Sequence, residues 1–244
     1  VASYFLLFSL VTVGSLITSL TGLGGGTLIL AGLLLVYPPE LAIPLHSFTQ
    51  LMANGFRVVI FFKQIAWQIV GAYSLLMLPA AWSGAKLFEH FNPSILKLVV
   101  GSFILFSVLP FRWKSKSRPN LMTFTFLGGI SGFLGVFVGA VGPMVTPFFN
   151  RLNLKREENL STKSAGQMFL QFSKIIAFTG AAGVNFLKLK ENIALIVVGT
   201  LVGIALSFPI SKKISDTHFS KLVNFLLGLI SVKIIIEGIR EYFF

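Results

Sequence analysis

Two stretches of the chain carry polar side chains at helical spacing within otherwise apolar sequence. His46, Gln50, Asn54 and Arg57 stand at i, i+4, i+8 and i+11, and Lys163, Gln167, Gln171 and Lys174 repeat that spacing. At about 100° per helical residue each set falls within roughly 80°, so each forms one stripe. Each stripe holds a cation or imidazole, two amides, then a cation, with no carboxylate among them. The amides gathered in this way can supply N–H donors to an anion beside them.

Upstream of each stripe lies a glycine-rich interruption, Gly22-Leu-Gly-Gly-Gly26 and Gly139-Ala-Val-Gly-Pro143. Glycine costs about 1 kcal/mol relative to alanine inside a helix, so both runs predict unwound backbone with a short helix restarting after it. A restarting helix directs unpaired N–H groups and roughly half a positive charge at its N-terminus, an anion site without a formal charge. The expected donors are the N–H groups of Gly25, Gly26, Gly142 and Met144, with Gln50 and Gln167 completing the shell. Gly24, Thr27, His46, Asn54, Pro143 and Gln171 are expected around the same site. Thr21, Thr27 and Thr146 add hydroxyls that serve either a ligand or their own helix backbone. Close helix packing is the other use of such glycines, but Pro38 and Pro143 favour a true discontinuity.

These groups sit in a chain of 244 residues that is 55% hydrophobic and 11% charged. Its mean hydropathy of +0.85 and apolar runs along the whole length predict an all-α polytopic membrane protein, one membrane domain over 1–244. The N-terminus shows no basic region followed by a cleavage site, so no removable signal peptide is expected. In lipid, unpaired backbone and amides must face protein or a cavity. The outer cations Arg57 and Lys174 are expected to snorkel to the interface. His46 could carry a proton or simply donate a hydrogen bond, and its type leaves both open.

Apolar segments are expected at 3–20, 27–36, 41–62, 67–87 and 95–111, the second only about 15 Å long as a helix, half a bilayer. A basic linker over 112–120 divides the chain, and the second half repeats the first. A shift of 117 residues pairs Gly22 with Gly139, Gly25 with Gly142, Ser47 with Ser164 and Gln50 with Gln167; further on, a shift of 127 pairs Gly101 with Gly228. The expectation is about eight transmembrane segments as two four-segment repeats, 1–111 and 121–244, each with a broken helix at its glycine motif. In the second half the spans fall at 121–138, 193–210 and 219–239, with a short piece to Phe149 and a polar helix ending at Phe178.

Several functions are excluded. There is no Cys, and three His in separate segments make no metal cluster. Neither glycine run is a nucleotide fingerprint and no Gly-Lys-Ser/Thr phosphate loop exists, so no cofactor and no ATP drive are expected. The net charge of +12 sits mostly in short segments between apolar runs, where it sets topology and meets anionic membrane lipid; no nucleic-acid surface is expected. No carboxylate lies near a membrane centre, which argues against an acid-relay proton pump, and no nucleophile motif accompanies His46, which argues against an enzyme.

Gly22-Leu-Gly-Gly-Gly26, Gly-Ala-Val-Gly-Pro143 and the four-plus-four organisation resemble the TauE/SafE sulfite exporter and organosulfonate permease family. The resemblance covers nearly the whole chain and implies secondary transport of sulfite, an organosulfonate or a related sulfur-containing anion across the cytoplasmic membrane. The residues by themselves say only that the substrate is a small anion. An anion channel built on the same half-helix termini is the alternative. If all eight long segments cross once, the loops on the two sides hold eight and nine basic residues, which gives no orientation. Parallel or inverted repeats, and a homo-oligomer, are both left open.

Overall fold

The computed structural model describes residues 2–21, 25–109, 118–210 and 216–243, with side chains described for 4–19, 26–109, 118–207 and 221–243. Every regular element among them is helical: α1 (Ala2–Thr21), α2 (Gly25–Leu34), α3 (Pro39–Ile60), α4 (Trp67–Ser74), α5 (Met77–Phe88), α6 (Pro93–Val108), α7 (Leu121–Val138), α8 (Gly142–Phe149), α9 (Arg156–Gly180), α10 (Lys190–Ile210) and α11 (Asp216–Phe243). Short 3-10 turns follow α3 at Phe62–Gln64 and precede α10 at Phe186–Leu189. Long apolar stretches fit for a bilayer lie at Leu121–Val138, Phe186–Ser207 and Lys221–Phe243, with shorter ones at Tyr4–Ser19 and Pro93–Val108. The chain is a multi-pass membrane protein.

Local chemistry sets the helix ends. Asn92 caps α6 by accepting from the Ser94 N–H, and Asn120 caps α7 by accepting from the Thr123 N–H, each at 2.8 Å. Pro38 and Pro39 open α3, where a missing N–H costs nothing. Gly139, at φ 72, ends α7 in a conformation that side chains resist. The single span expected over Trp67 to Leu87 is instead α4 and α5, offset at Leu75 and Leu76. Pro79 accounts for the offset, because its ring crowds the Leu75 carbonyl and supplies no N–H to it.

The helices pack through glycine. A Cβ on Gly128 would lie 1.7 Å from the Tyr73 carbonyl oxygen and one on Gly132 2.5 Å from that of Met77, so α7 lies backbone to backbone on α4 and α5. A Cβ on Gly203 would lie 2.3 Å from the Thr12 carbonyl oxygen, which brings α10 equally close to α1.

Two pairs of helices cross antiparallel. Along α3 and α9, Gly55 faces Met168, while Gln64 and Ala66, just past α3, bond to Ser161 and Thr162. Along α6 and α11, Gly101 faces Ile235 and Lys97 pairs with Glu241. Helix α2 returns antiparallel along α1, with Gly14 against Ile29 and Gly32 against Leu10. The polypeptide therefore starts α1, α3, α6 and α10 at one end of the bundle, where Tyr4 bonds Glu191 and Tyr37 bonds Asn192. It starts α4, α7, α9 and α11 at the other.

Because α2 turns back beside α1, charges partition differently from eight single crossings. The first end holds Lys86, Lys97, Lys188, Lys190 and Arg240 against Glu40, Glu89, Glu191 and Glu241. Among the described residues the second end holds Lys63, Arg118, Arg151, Lys155, Arg156 and Lys221 against Glu157, Glu158 and Asp216. Lys233 and Glu237 pair on α11, which leaves Arg57, Lys163 and Lys174 between the two ends.

Candidate functional site

The two polar stripes occupy the antiparallel crossing of α3 and α9, so they meet head to tail. His46 comes within electrostatic reach of Lys174, and Arg57 of Lys163. Each end of the crossing thus gathers one basic group from each half of the chain. The ion pairs Lys97 with Glu241 and Lys233 with Glu237 involve none of these four.

Helix α2 begins at the glycine run, and the α3 stripe is built around that start. His46 is fully buried, and its Nε2 donates to the Gly26 carbonyl at 2.8 Å. One turn on, the Gln50 amide lies against Gly26 so closely that a Cβ there would meet Gln50 Oε1 at 2.8 Å. His46 Nδ1 and Gln50 Nε2 are both buried without a hydrogen-bond partner, an arrangement that costs free energy unless something arrives to fill it. Thr27 is 2% exposed at the same helix start. Asn54 donates to the Gln50 carbonyl at 2.8 Å, a bond within its own helix. Gly25 opens α2, whereas Gly24 lies outside the described residues.

The second interruption is built differently. Helix α7 stops at Gly139 and α8 starts at Gly142. Pro143 has no N–H, and the Met144 N–H donates to the Val141 carbonyl at 3.0 Å, so Gly142 is left as the open position of the three. Nothing lies within 4 Å of where a Gly142 Cβ would be. Thr146 spends its hydroxyl on the Gly142 carbonyl at 2.7 Å and receives Lys163 Nζ at 3.5 Å.

Lys174 and Arg57 do not reach for the headgroups as their stripe-end positions suggest. Lys174 is 0% exposed and donates to the Gly139 carbonyl at 2.9 Å and to Gln171 Oε1 at 3.2 Å. Arg57 donates to the Thr18 carbonyl at 3.4 Å. Each cation therefore meets carbonyls freed at the C-terminal end of the first helix of its half, where a helix dipole favours positive charge. An ammonium has three N–H groups, so Lys174 keeps one to spend.

Gln167 turns elsewhere. Its Nε2 donates to the Tyr73 hydroxyl at 3.3 Å, and that hydroxyl donates to Ser131 at 2.9 Å, joining α9 to α4 and α7. The candidate site thus comprises Gly26, Thr27, His46, Gln50, Gln171 and Lys174, with Asn54 bonded to the Gln50 carbonyl and Gln167 to Tyr73. Lys174 is the residue that spacing alone misplaces, although its match to Arg57 under the 117-residue shift and its lack of an acidic neighbour in sequence both mark it.

The helices thus form a multi-pass bundle with Lys174 fully buried inside it, and among the described residues no group of His, Cys, Asp and Glu could hold a metal ion. The chain belongs to the Sulfite exporter TauE/SafE family, whose profile matches residues 6–234, and it is accordingly a membrane transporter. No curated protein and no solved structure matches it.

Proposed function

We propose that this protein is a secondary transporter that moves a small anion, sulfite, an organosulfonate or a related sulfur-containing anion, through a site between its two interrupted helices. The observation that carries the reading is Lys174: an ammonium sealed inside a membrane protein, with carbonyl and amide oxygens but no carboxylate around it. A buried charge left in that state costs several kcal/mol unless a counter-ion shares the cavity for part of the cycle. The α2 start beside His46 and Gln50 supplies further donors, and Gly142 at the α8 start supplies the opposing wall.

The halves 1–111 and 121–244, joined by the linker 112–120, act as repeats of inverted topology, each with a broken helix at its glycine motif. Support comes from packing: α3 crosses its 117-shift counterpart α9 antiparallel, α6 crosses α11 antiparallel, and the α1 to α10 contact has its counterpart in that of α7 with α4 and α5. A two-fold axis across the bundle relates such contacts, and rocking one half on the other would expose the site alternately. By the positive-inside rule the cytoplasmic end is the one where α7 and α9 start, with Lys63, Arg118, Arg151, Lys155, Arg156 and Lys221 among the described residues and a basic linker, 112–120, leading in sequence into α7. Outward movement of one negative charge then gains about 2.3 kcal/mol per 100 mV of negative interior potential, so export needs no coupling ion.

Sulfite and sulfonate flux in proteoliposomes tests this, with Gly26→Leu and Lys174→Met against the parent. Loss of flux in both is expected, because a side chain at Gly26 collides with Gln50 and loss of Lys174 removes the central charge. Undiminished flux in both removes the site assignment.

A further inference from the structure

The start of α2 holds unspent hydrogen-bonding groups of opposite kinds. Two are donors: Gln50 Nε2, buried and without a partner, and the remaining N–H of Lys174. The other is an acceptor. A backbone carbonyl only accepts, so His46 Nε2 must carry the hydrogen that bonds Gly26. In the neutral ring, which places no second proton beside the Lys174 ammonium, Nδ1 is then a bare lone pair, sealed at 0% exposure with nothing to accept from.

A site meant only for a bare oxyanion has no use for that lone pair, which would face the lone pairs of the ligand's oxygens. An oxyanion that keeps one acidic hydrogen satisfies every group at once. Its negative oxygens take Gln50, Lys174 and the N–H groups of the first turn of α2, and its O–H donates to His46 Nδ1. Building on the anion site proposed above, we propose that His46 makes this protein select a hydrogen oxyanion the size of hydrogen sulfite over an anion of equal size and charge with no hydrogen to donate. A sulfinate, which has carbon where hydrogen sulfite has its hydroxyl, is the discriminated class of equal size, and a sulfonate, whose three oxygens carry no hydrogen, falls on the same side.

The matched probes are hydrogen sulfite and methanesulfinate, with binding measured by calorimetry on the purified full chain in mildly acidic buffer. The parent should bind hydrogen sulfite about 10- to 100-fold more tightly, the discrimination expected of one buried acceptor left unpaired by the wrong ligand. His46→Phe should bring hydrogen sulfite down to the level of methanesulfinate. His46→Gln, whose amide keeps both a donor and an acceptor, should restore part of the difference. Equal affinity for the two probes in the parent, or a His46→Phe effect that is the same for both, overturns the selection while leaving the anion site standing. Failure of the folded parent to bind either probe overturns the anion site, and this selection with it.

Discussion

Replacing Lys174 with methionine separates the two roles that a buried cation can have. If the ammonium is there to hold the fold, Lys174→Met should destabilise: it removes bonds to the Gly139 carbonyl and to Gln171 Oε1, at about 1 kcal/mol each. Against this stands the cost of keeping a fully buried ammonium with no carboxylate beside it, several kcal/mol after relaxation. Methionine fills nearly the same volume without that cost. The larger effect wins, so the ligand-free variant should unfold at the same temperature as the parent or higher. Binding should go the other way. A unit anion about 4 Å from the ammonium gains roughly 4 kcal/mol at an effective dielectric constant near 20, so Lys174→Met should weaken sulfite binding by about a thousand-fold. Thermal unfolding of the detergent-solubilised protein, with and without sulfite, reads both numbers. A variant that unfolds well below the parent, or one that sulfite still stabilises as fully as the parent, refutes the reasoning.

Cysteines introduced at Glu157 and His90 in this cysteine-free chain should react with an impermeant reagent from opposite sides of the membrane, Glu157→Cys from the cytoplasm and His90→Cys from outside; labelling of both from one side would break the inverted arrangement. Gly128→Ala places a methyl carbon 1.7 Å from the Tyr73 carbonyl oxygen, so α7 must move off α4, and a loss of about 1 to 3 kcal/mol is expected. An unchanged unfolding midpoint would show that the two helices do not lie that close.

Much of this architecture can be read from residue order. The α7 span over 121–138 is where hydropathy puts it, because an Asn cap and a positive-φ glycine bracket an unbroken apolar run. The two stripes are legible because a 3.6-residue period survives any tertiary arrangement. The offset between α4 and α5 is not, since one proline in an apolar stretch can kink a helix, open it or sit quietly, as Pro44 does within α3. Antiparallel crossing of the stripes is equally silent in the sequence, because a repeat shift has no sign. That crossing brings His46 within reach of Lys174 across the halves. Lys174 illustrates the limit most sharply. A lysine at a stripe end has a stem long enough to snorkel outward or to reach inward to a helix terminus, and only the position of Gly139 decides between them.

The central claim is that one site, sealed around Lys174, is exposed alternately to the two sides of the membrane. Counterflow of labelled sulfite in proteoliposomes preloaded with unlabelled sulfite tests it most directly. The expected result is saturable, transient accumulation of label above equilibrium, abolished by Lys174→Met. Flux that rises without saturation, with no counterflow, would contradict alternating access and point to an open anion pore built on the same helix ends.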